Sequence, residues 1–235
     1  MNLLEVKSLR ARHGLLTALH DVSFAMEKGD VLAIVGANGA GKTTLMRCIA
    51  GAHRPAAGGI ALAGEDVTAL PAHKRVRRGI ALVPEGRRLF PGMTVRDTLL
   101  LAACREGQWN FDAVLETLPQ LRPLLNRKTG HLSGGQQQAV AIGRALMTNP
   151  ELLLLDELSL GLSPVAVEGV YDAMPKLKAA GTTIILVEQD LRRAMAAATH
   201  VMCMLEGRVV LSGGAGELTR EAVMDAYFGL NREAA

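Results

Sequence analysis

The chain alternates between short apolar runs, which end in polar residues, and longer stretches with helical spacing. The uninterrupted runs lie at 31–35, 79–83, 152–155 and 182–187. Strands that are covered on both faces lose the alternation of apolar and polar positions, so these runs predict buried strands. A further run at 201–211 and helical patterns near 215–228 predict a closing α/β piece. Strands that alternate with helices favour an α/β fold with a mostly parallel sheet.

The N-terminal residues have a different pattern, in which apolar and polar positions alternate. Residues 3–11 and 17–26 predict two strands, joined by a turn around His13. A turn is predicted at 55–59, and a short hairpin is predicted at 60–67. This end of the chain is therefore expected to form an antiparallel β subdomain.

Helical spacing dominates the middle of the chain, from 86 to 149. The predicted helices lie at 94–106, 110–118, 120–126 and 134–148. Because strand signals are almost missing there, the region is predicted to be an inserted helical subdomain. Residues 1–85 and 150–235 are then expected to form the core of one domain.

Residues 71–78 predict a short basic helix, PAHKRVRR. Its charges are expected to form a solvated face, with docking of a partner as the minority alternative.

The composition predicts the type of core and limits the kinds of partner. Apolar residues make up 49% of the chain but aromatic residues only 3%, so the core is expected to be aliphatic. A net charge of +3 is too weak to indicate nucleic-acid binding. Cys48, Cys104 and Cys203 form no C-x-x-C pair and are expected to be buried, reduced thiols of a cytosolic protein. No apolar run approaches the ~18 residues that cross a bilayer, so any link to a membrane is expected to come through a partner.

The segment GANGAGKTT fits the phosphate-binding pattern G-x-x-x-x-G-K-[ST] through Gly36, Gly41, Lys42 and Thr43. Its glycines let backbone N–H groups surround a phosphate, while Lys42 supplies an ammonium and Thr43 a hydroxyl for Mg²⁺. A chance glycine-rich turn is the alternative. The apolar strand before the motif and the helical pattern after it, which ends at Gly51, favour a nucleoside triphosphate site.

The run LLLLDE ends in two carboxylates, at the sheet edge where open α/β sheets bind ligands. Asp156 is expected to hold Mg²⁺ and Glu157 to polarise the attacking water. The plainer alternative is a strand followed by a polar turn. Gln189 follows another predicted strand and is expected at the same edge.

The segment LSGGQ and His13 each have two possible interpretations. The segment LSGGQ begins a helix, where Ser133 is either an ordinary N-cap or part of a second anion cradle. The N-cap reading explains the serine but not the paired glycines. His13 either stacks on the base of a nucleotide or is an exposed turn residue.

Together these motifs resemble the ATP-binding subunit of an ABC transporter over essentially the whole chain. GANGAGKTT is similar to the Walker A loop of that family, LSGGQ to its signature, LLLLDE to its Walker B strand and SLGL (159–162) to its D-loop. The segments VPEGRRLFPGMTVRDTL, LVEQD and AYFGL resemble one of the two ATPase subunits of branched-chain amino acid importers. Glu85 and Gln189 stand where most of the family has the Q-loop glutamine and the switch histidine.

The resemblance implies an ABC ATPase fold with a P-loop NTPase core, ATP and Mg²⁺ as ligands, and a defined set of site residues. The expected nucleotide-binding residues are Gly36, Ala37, Asn38, Gly39, Ala40, Gly41, Lys42, Thr43, Thr44 and His13, with Ser133, Gly134, Gly135 and Gln136 covering the nucleotide of a partner. The expected metal ligands are Thr43, Asp156 and Glu85, and the expected catalytic residues are Glu157, Lys42, Gln189 and Glu85.

The resemblance also implies partners. Two ATPase subunits are expected to pair head to tail, as a heterodimer in the cell or a weak homodimer in isolation. They are expected to drive transmembrane permeases on the cytoplasmic side of a bacterial inner membrane, supplied by a periplasmic solute-binding protein, with no nucleic acid. Leu158, where the family usually has proline, is expected to loosen the turn after Glu157. The alternatives are another cargo such as urea or amides, a regulator with little hydrolysis, and an ABC ATPase acting on nucleic acid or the ribosome.

Overall fold

The computed structural model describes residues 2–230. The strands in this range are β1 (Asn2–His13), β2 (Leu16–Glu27), β3 (Val31–Val35), β4 (Ala57–Leu62), β5 (Glu65–Asp66), β6 (Ile80–Val83), β7 (Leu152–Asp156), β8 (Thr183–Val187), β9 (His200–Leu205) and β10 (Arg208–Gly214). The helices are α1 (Lys42–Ile49), α2 (Ala72–Arg77), α3 (Val95–Ala102), α4 (Phe111–Thr117), α5 (Gly134–Leu146), α6 (Pro164–Tyr171), α7 (Met174–Ala179), α8 (Leu191–Ala197) and α9 (Arg220–Phe228), with 3₁₀ turns at Pro119–Leu124 and Thr129–His131.

A six-stranded sheet with the order β10-β9-β3-β8-β7-β6 forms the core. Its strands pair in parallel except for β10, which is antiparallel to β9. All five residues of each of β3, β7 and β8 are buried, as expected for strands covered on both faces. The prediction of a mostly parallel sheet is confirmed, and the ends of β3, β6, β7 and β8 lie at one edge.

The predicted N-terminal β subdomain is a four-stranded antiparallel sheet with the order β2-β1-β4-β5. The predicted turn at 55–59 is wrong in its extent, because β4 already begins at Ala57. Gly58 has a φ of 88°, and a Cβ there would lie 2.4 Å from the carbonyl oxygen of Ser8. A glycine therefore lets this strand pass close to β1.

The middle of the chain is helical, as predicted, with one helix shorter than expected. Residues 94–106 do not form one helix, since α3 ends at Ala102. The Arg105 guanidinium donates to the carbonyl oxygen of Asn149 at 3.0 Å and to the Glu151 carboxylate at 2.8 Å. These contacts tie the irregular segment after α3 to the residues that precede β7. The boundaries of a helical subdomain at 86–149 stay a prediction.

The expectation that the basic helix is solvated throughout is wrong for Arg75, which is 1% exposed. Its guanidinium donates to the carbonyl oxygens of Cys48 and Ile49, at 2.6 and 2.8 Å, and to those of Leu70 and Thr68. Because Cys48 and Ile49 end α1, the cation adds donors to carbonyls of the last turn, of which that of Cys48 also accepts the Gly51 backbone N–H at 3.1 Å.

The cysteines also differ from expectation. All three are free thiols, but only Cys48 and Cys203 are buried, whereas Cys104 is exposed. Burial raises the pKa of Cys48 and of Cys203 to about 11. Cys104 is exposed because it lies after the end of α3, in the irregular segment.

The C-terminal region, residues 201–228, has fewer helices than expected. The run 201–211 divides into the hairpin of β9 and β10, and one helix, α9, follows it in place of the predicted helices from 215.

Candidate active site

The phosphate-binding loop joins β3, in the middle of the large sheet, to α1. Gly36 has a φ of 150°, and a Cβ at this position would lie 2.2 Å from the carbonyl oxygen of Met204. Gly39 has a φ of 83° and open space around it. One glycine is therefore required by close packing against β9, and the other by backbone conformation. The loop leads directly into α1, whose N-terminal N–H groups face the site.

Lys42 is only 4% exposed. Its ammonium donates to the carbonyl oxygens of Gly36, at 2.7 Å, and Ala37, at 3.0 Å. Burial lowers the pKa of Lys42, while the Glu157 and Asp156 carboxylates act in the opposite direction. A phosphate group would give this buried cation a full counter-charge in place of two carbonyl dipoles.

Asp156 ends β7 beside this loop and is 2% exposed. The Thr43 hydroxyl lies 3.4 Å from its carboxylate, to which it donates. Burial first, and then the charges of Glu157 and Glu85, raise the pKa of Asp156 to about 6. The structure thus brings Lys42, Thr43 and three carboxylates to the same sheet edge, as the sequence predicted.

These residues fit a magnesium ion that arrives with a nucleotide. Within residues 2–230, no group of three His, Cys, Asp or Glu side chains is arranged to hold a metal by itself. Magnesium is usually held by one or two carboxylates together with substrate phosphates and water. Thr43, Asp156 and Glu85 offer oxygen donors of this kind, and a cation would offset the repulsion that raises the pKa of Asp156.

Glu157 lies in the turn after β7, with a φ of 51°. Its backbone N–H donates to the carbonyl oxygen of Val187 at 3.0 Å, and its carboxylate accepts a hydrogen bond from the Gln189 side-chain amide at 3.1 Å. Leu158 is 1% exposed, and the Ser159 hydroxyl donates to Glu188 at 2.7 Å. The looser turn expected from a leucine in place of proline stays a prediction.

A cleft of about 530 Å³ connects these elements. The predicted residues that line it are His13, Asn38, Gly39, Gly41, Lys42, Thr43, Thr44, Glu85, Glu157 and Gln189. The cleft lies outside the carboxyl ends of the strands, where ligands of open α/β sheets bind.

The segment LSGGQ does not line this cleft. Ser133, Gly135 and Gln136 line a separate cleft of about 430 Å³. Ser133 is the N-cap of α5, and it forms a reciprocal capping box with Gln136. A Cβ on Gly135 would lie 2.4 Å from Cβ of Ala166. Helix capping therefore explains Ser133 and Gln136, and close packing explains Gly135. Within one chain, LSGGQ lies at a different cleft from the phosphate loop.

Residues 19–159 match the model of the family described as ABC transporter. The chain belongs to the ABC transporter family. Membership makes it an ATP-hydrolysing subunit whose activity is coupled to transport.

Relatives of this ABC ATPase extend the match to almost the whole chain. It is 41% identical to the high-affinity branched-chain amino acid transport ATP-binding protein BraG of Pseudomonas aeruginosa, over 92% of this chain and 95% of the relative. It is 37% identical to the probable branched-chain amino acid transport ATP-binding protein LivF of Archaeoglobus fulgidus, over 92% of this chain and 94% of the relative.

Solved structures agree with the fold of this ABC ATPase. An ATP-binding subunit of an ABC transporter superposes with a TM-score of 0.84 at 29% identity, covering 98% of this chain and 100% of the other. An ATP-binding cassette of an ABC transporter in its ADP conformation gives a TM-score of 0.83 at 29% identity, covering 97% of this chain and 95% of the other. Within residues 2–230, no helix is long and apolar enough to span a membrane.

His13 lies at the mouth of the cleft of this ABC ATPase. Its Nε2 atom is 3.1 Å from the Thr44 hydroxyl, within hydrogen-bonding distance, and its ring centroid is 4.6 Å from that of His53. The ring is thus held beside the first turn of α1, next to the phosphate loop. Stacking on adenine stays a prediction.

Several residues of the site were missed by the sequence analysis. Leu16, Ala18 and Leu160 also line the cleft, and Leu16 is 71% exposed. Leu16 lies just before the predicted strand 17–26 and pairs with His13 across the first two strands, a contact that the sequence alone does not show. Glu188 was given no role, although it is fully buried and contacts both Ser159 and Gln189.

Proposed function

We propose that this chain is one of the two ATPase subunits of a bacterial importer for branched-chain amino acids. The observation that carries the proposal is the convergence of Lys42, Thr43, Asp156, Glu157 and Gln189 around one cleft. The cargo is inferred from the named function of the relatives in Pseudomonas aeruginosa and Archaeoglobus fulgidus.

In this proposal the phosphate loop binds the β and γ phosphates of ATP. The Lys42 ammonium leaves the carbonyl oxygens of Gly36 and Ala37 and pairs with the phosphates, while backbone N–H groups of the loop and of α1 donate to them. His13 stacks on the adenine. Thr43, Asp156 and Glu85 hold Mg²⁺, which when bound neutralises charge that develops on the phosphates.

Glu157 acts as the general base or polarises the attacking water. The 3.1 Å hydrogen bond from the Gln189 side-chain amide fixes the orientation of the Glu157 carboxylate. Because a glutamine donates an N–H but does not accept a proton near neutral pH, Gln189 serves as an orienting group and a donor to the γ-phosphate rather than as a base. Glu85 adds negative charge beside the site, which favours release of the products.

The proposal requires a second ATPase subunit. Ser133 to Gln136 lie at a cleft separate from the phosphate loop of the same chain, so they are available to the nucleotide of a partner. The N-terminus of α5 there supplies N–H groups and a favourable dipole for a γ-phosphate. We infer a heterodimer in the cell with two unequal composite sites, and a weak homodimer or monomer in isolation.

The same proposal places the chain at the cytoplasmic side of the inner membrane, bound to permease subunits. The helical subdomain, 86–149, passes the closure of the dimer to the permeases, and the loop 86–92 is its hinge. A periplasmic solute-binding protein delivers the amino acid, so the cargo is selected by chains other than this one.

The test is to replace Glu157 by Gln in the full chain. Binding of ATP should be retained and hydrolysis lost, so that ATP but not ADP produces a dimer in sedimentation velocity. Exposed Glu221, in the first turn of α9, supplies the matched control, since Glu221→Gln removes the same charge away from the cleft. Unchanged turnover in the Glu157→Gln variant would contradict the role proposed for Glu157. If the unmodified protein shows no detectable hydrolysis in a single-turnover assay, the proposed ATPase activity is contradicted.

The cargo is tested separately, with the assembled transporter in proteoliposomes. Leucine-loaded binding protein should stimulate ATP hydrolysis, whereas urea or amides should not. Stimulation by urea or amides alone would replace the proposed cargo and leave the ATPase assignment intact.

A further inference from the structure

Glu188 directly follows β8, and its side chain is fully buried. One carboxylate oxygen accepts hydrogen bonds from the Ser159 hydroxyl, at 2.7 Å, and from the Gln189 backbone N–H, at 3.2 Å. Its own backbone N–H donates to the carbonyl oxygen of Ile34, in the strand that leads to the phosphate loop. The carboxylate is thus fixed where three segments of the site meet.

These contacts form part of a ring of hydrogen bonds that joins the turn after β7 to the end of β8. Glu157 accepts from the Gln189 amide, Gln189 is tied through its backbone to Glu188, and Glu188 accepts from Ser159, two residues beyond Glu157. The Glu157 backbone N–H also donates to Val187 at 3.0 Å. A change in the turn at Ser159 is therefore transmitted to the side chain that orients the proposed base.

The burial of Glu188 calls for an explanation beyond packing. Among residues 2–230, the ion pairs found do not include this carboxylate, and its second oxygen is buried without a hydrogen-bond partner. The Tyr171 hydroxyl is likewise buried without a partner of good geometry, and burial together with the nearby Glu188 raises the pKa of Tyr171. Buried carboxylates without a counter-charge reduce stability, so their retention beside a reacting centre favours a functional role.

We propose that Glu188 is a positioning residue that holds Gln189 against Glu157 and links this contact to the turn at Ser159. The inference rests on the roles proposed above for Glu157 and Gln189. Glu188 does not line the nucleotide cleft, so it acts on turnover through Gln189 and leaves ATP binding unaffected.

The experiment measures steady-state ATP hydrolysis by the full chain in its assembled transporter. Glu188→Ala removes the acceptor, so kcat should fall by about tenfold, the usual effect of losing hydrogen bonds to a charged group, while KM for ATP stays within about twofold. Glu188→Gln keeps an oxygen that can accept from Ser159 and Gln189, so it should restore kcat to within about threefold. Glu221→Ala is the control, because it removes an exposed carboxylate of α9 and should leave kcat unchanged.

A double-mutant cycle with Gln189→Ala decides whether Glu188 acts through Gln189. The double variant should be no slower than Gln189→Ala alone, because the second change has nothing left to position. Additive losses, an unchanged kcat in Glu188→Ala, or failure of Glu188→Gln to restore turnover each overturn the proposal. If Glu188→Ala does not fold, the cycle is run with Ser159→Ala, which removes one donor and leaves the buried carboxylate in place.

Failure of this inference and failure of the proposed function give different results. Hydrolysis by the unmodified chain that persists in Glu157→Gln argues against the proposed function. Hydrolysis that depends on Glu157 but not on Glu188 argues only against the positioning role.

Discussion

The side-chain amide of Gln189 donates to the Glu157 carboxylate across 3.1 Å, joining the ends of two adjacent parallel strands. Replacing Gln189 by Glu keeps the shape but sets two carboxylates against each other. We expect kcat to fall by about a hundredfold and ATP binding to weaken, since the added charge also faces the γ-phosphate.

Steady-state kinetics and binding of a fluorescent ATP analogue measure these two effects. Met224→Glu, at an exposed position of α9, is the control for added charge. Equal kinetics in the Gln189→Glu variant and the unmodified chain would show that Gln189 has no part in orienting Glu157.

Asp156 should make the nucleotide-free protein less stable than its Asn variant near neutral pH. Its folded pKa of about 6 lies above the ordinary value of 3.8, so the folded state binds a proton more readily than the unfolded state. The cost of the buried charge is therefore fully present above pH 6 and is lost as pH falls toward 3.8. Asp156→Asn should raise the free energy of unfolding by about 1–3 kcal/mol at pH 7.5, and by much less at pH 4.5, while abolishing hydrolysis.

Urea unfolding at the two pH values, with exposed Asp112→Asn as the control, tests this prediction. A gain that is larger at pH 4.5 than at pH 7.5 would have the wrong sign.

Arg75 should be a major contributor to stability even though it lies in a basic surface helix. Arg75→Met removes the guanidinium donor from four carbonyl oxygens, two of them at the end of α1, where Cys48 keeps the Gly51 backbone N–H. We expect the free energy of unfolding to fall by about 3 kcal/mol. Arg77→Met, on the same helix but exposed, should change it by less than about 0.5 kcal/mol. Similar losses in the two variants, measured by urea unfolding, would count against this role of Arg75.

His13 should affect the binding of ATP but not its hydrolysis. If the imidazole stacks on adenine, His13→Ala should raise KM for ATP by about fivefold at constant kcat, and His13→Tyr should stay within about twofold. His73→Ala, an exposed histidine of α2, provides the comparison. An unchanged KM in His13→Ala would support the alternative of an ordinary turn histidine.

The parts of the site that the sequence predicted are those set by local pattern. The strands were visible because burial on both faces produces unbroken apolar runs, and the phosphate loop was visible because its backbone requires glycine at fixed positions. Since parallel strands end at one edge, the positions of Asp156, Glu157 and Gln189 followed from those strands alone.

What the sequence did not reveal depends on contacts between distant residues. Nothing in PAHKRVRR distinguishes Arg75 from its basic neighbours, because its burial depends on the carbonyl oxygens of Cys48 and Ile49. The early end of α3 likewise depends on contacts of Arg105 with Asn149 and Glu151.

Three helices, α6, α7 and α8, were missed, although the sequence carried a signal for the first. The segment 163–181 received no element in the sequence analysis and forms α6 and α7. Ser163 caps α6, and Pro164 occupies its first turn, which is a recognised helix start.

Glu85 follows β6, the outermost strand of the large sheet, whereas Asp156 and Glu157 follow β7, which has hydrogen-bonded neighbours on both sides. A movement of β6 alone would therefore displace Glu85 and leave Asp156 and Glu157 in register with β8. The negative charge beside the phosphate loop would then change through Glu85, with the other two carboxylates kept in place.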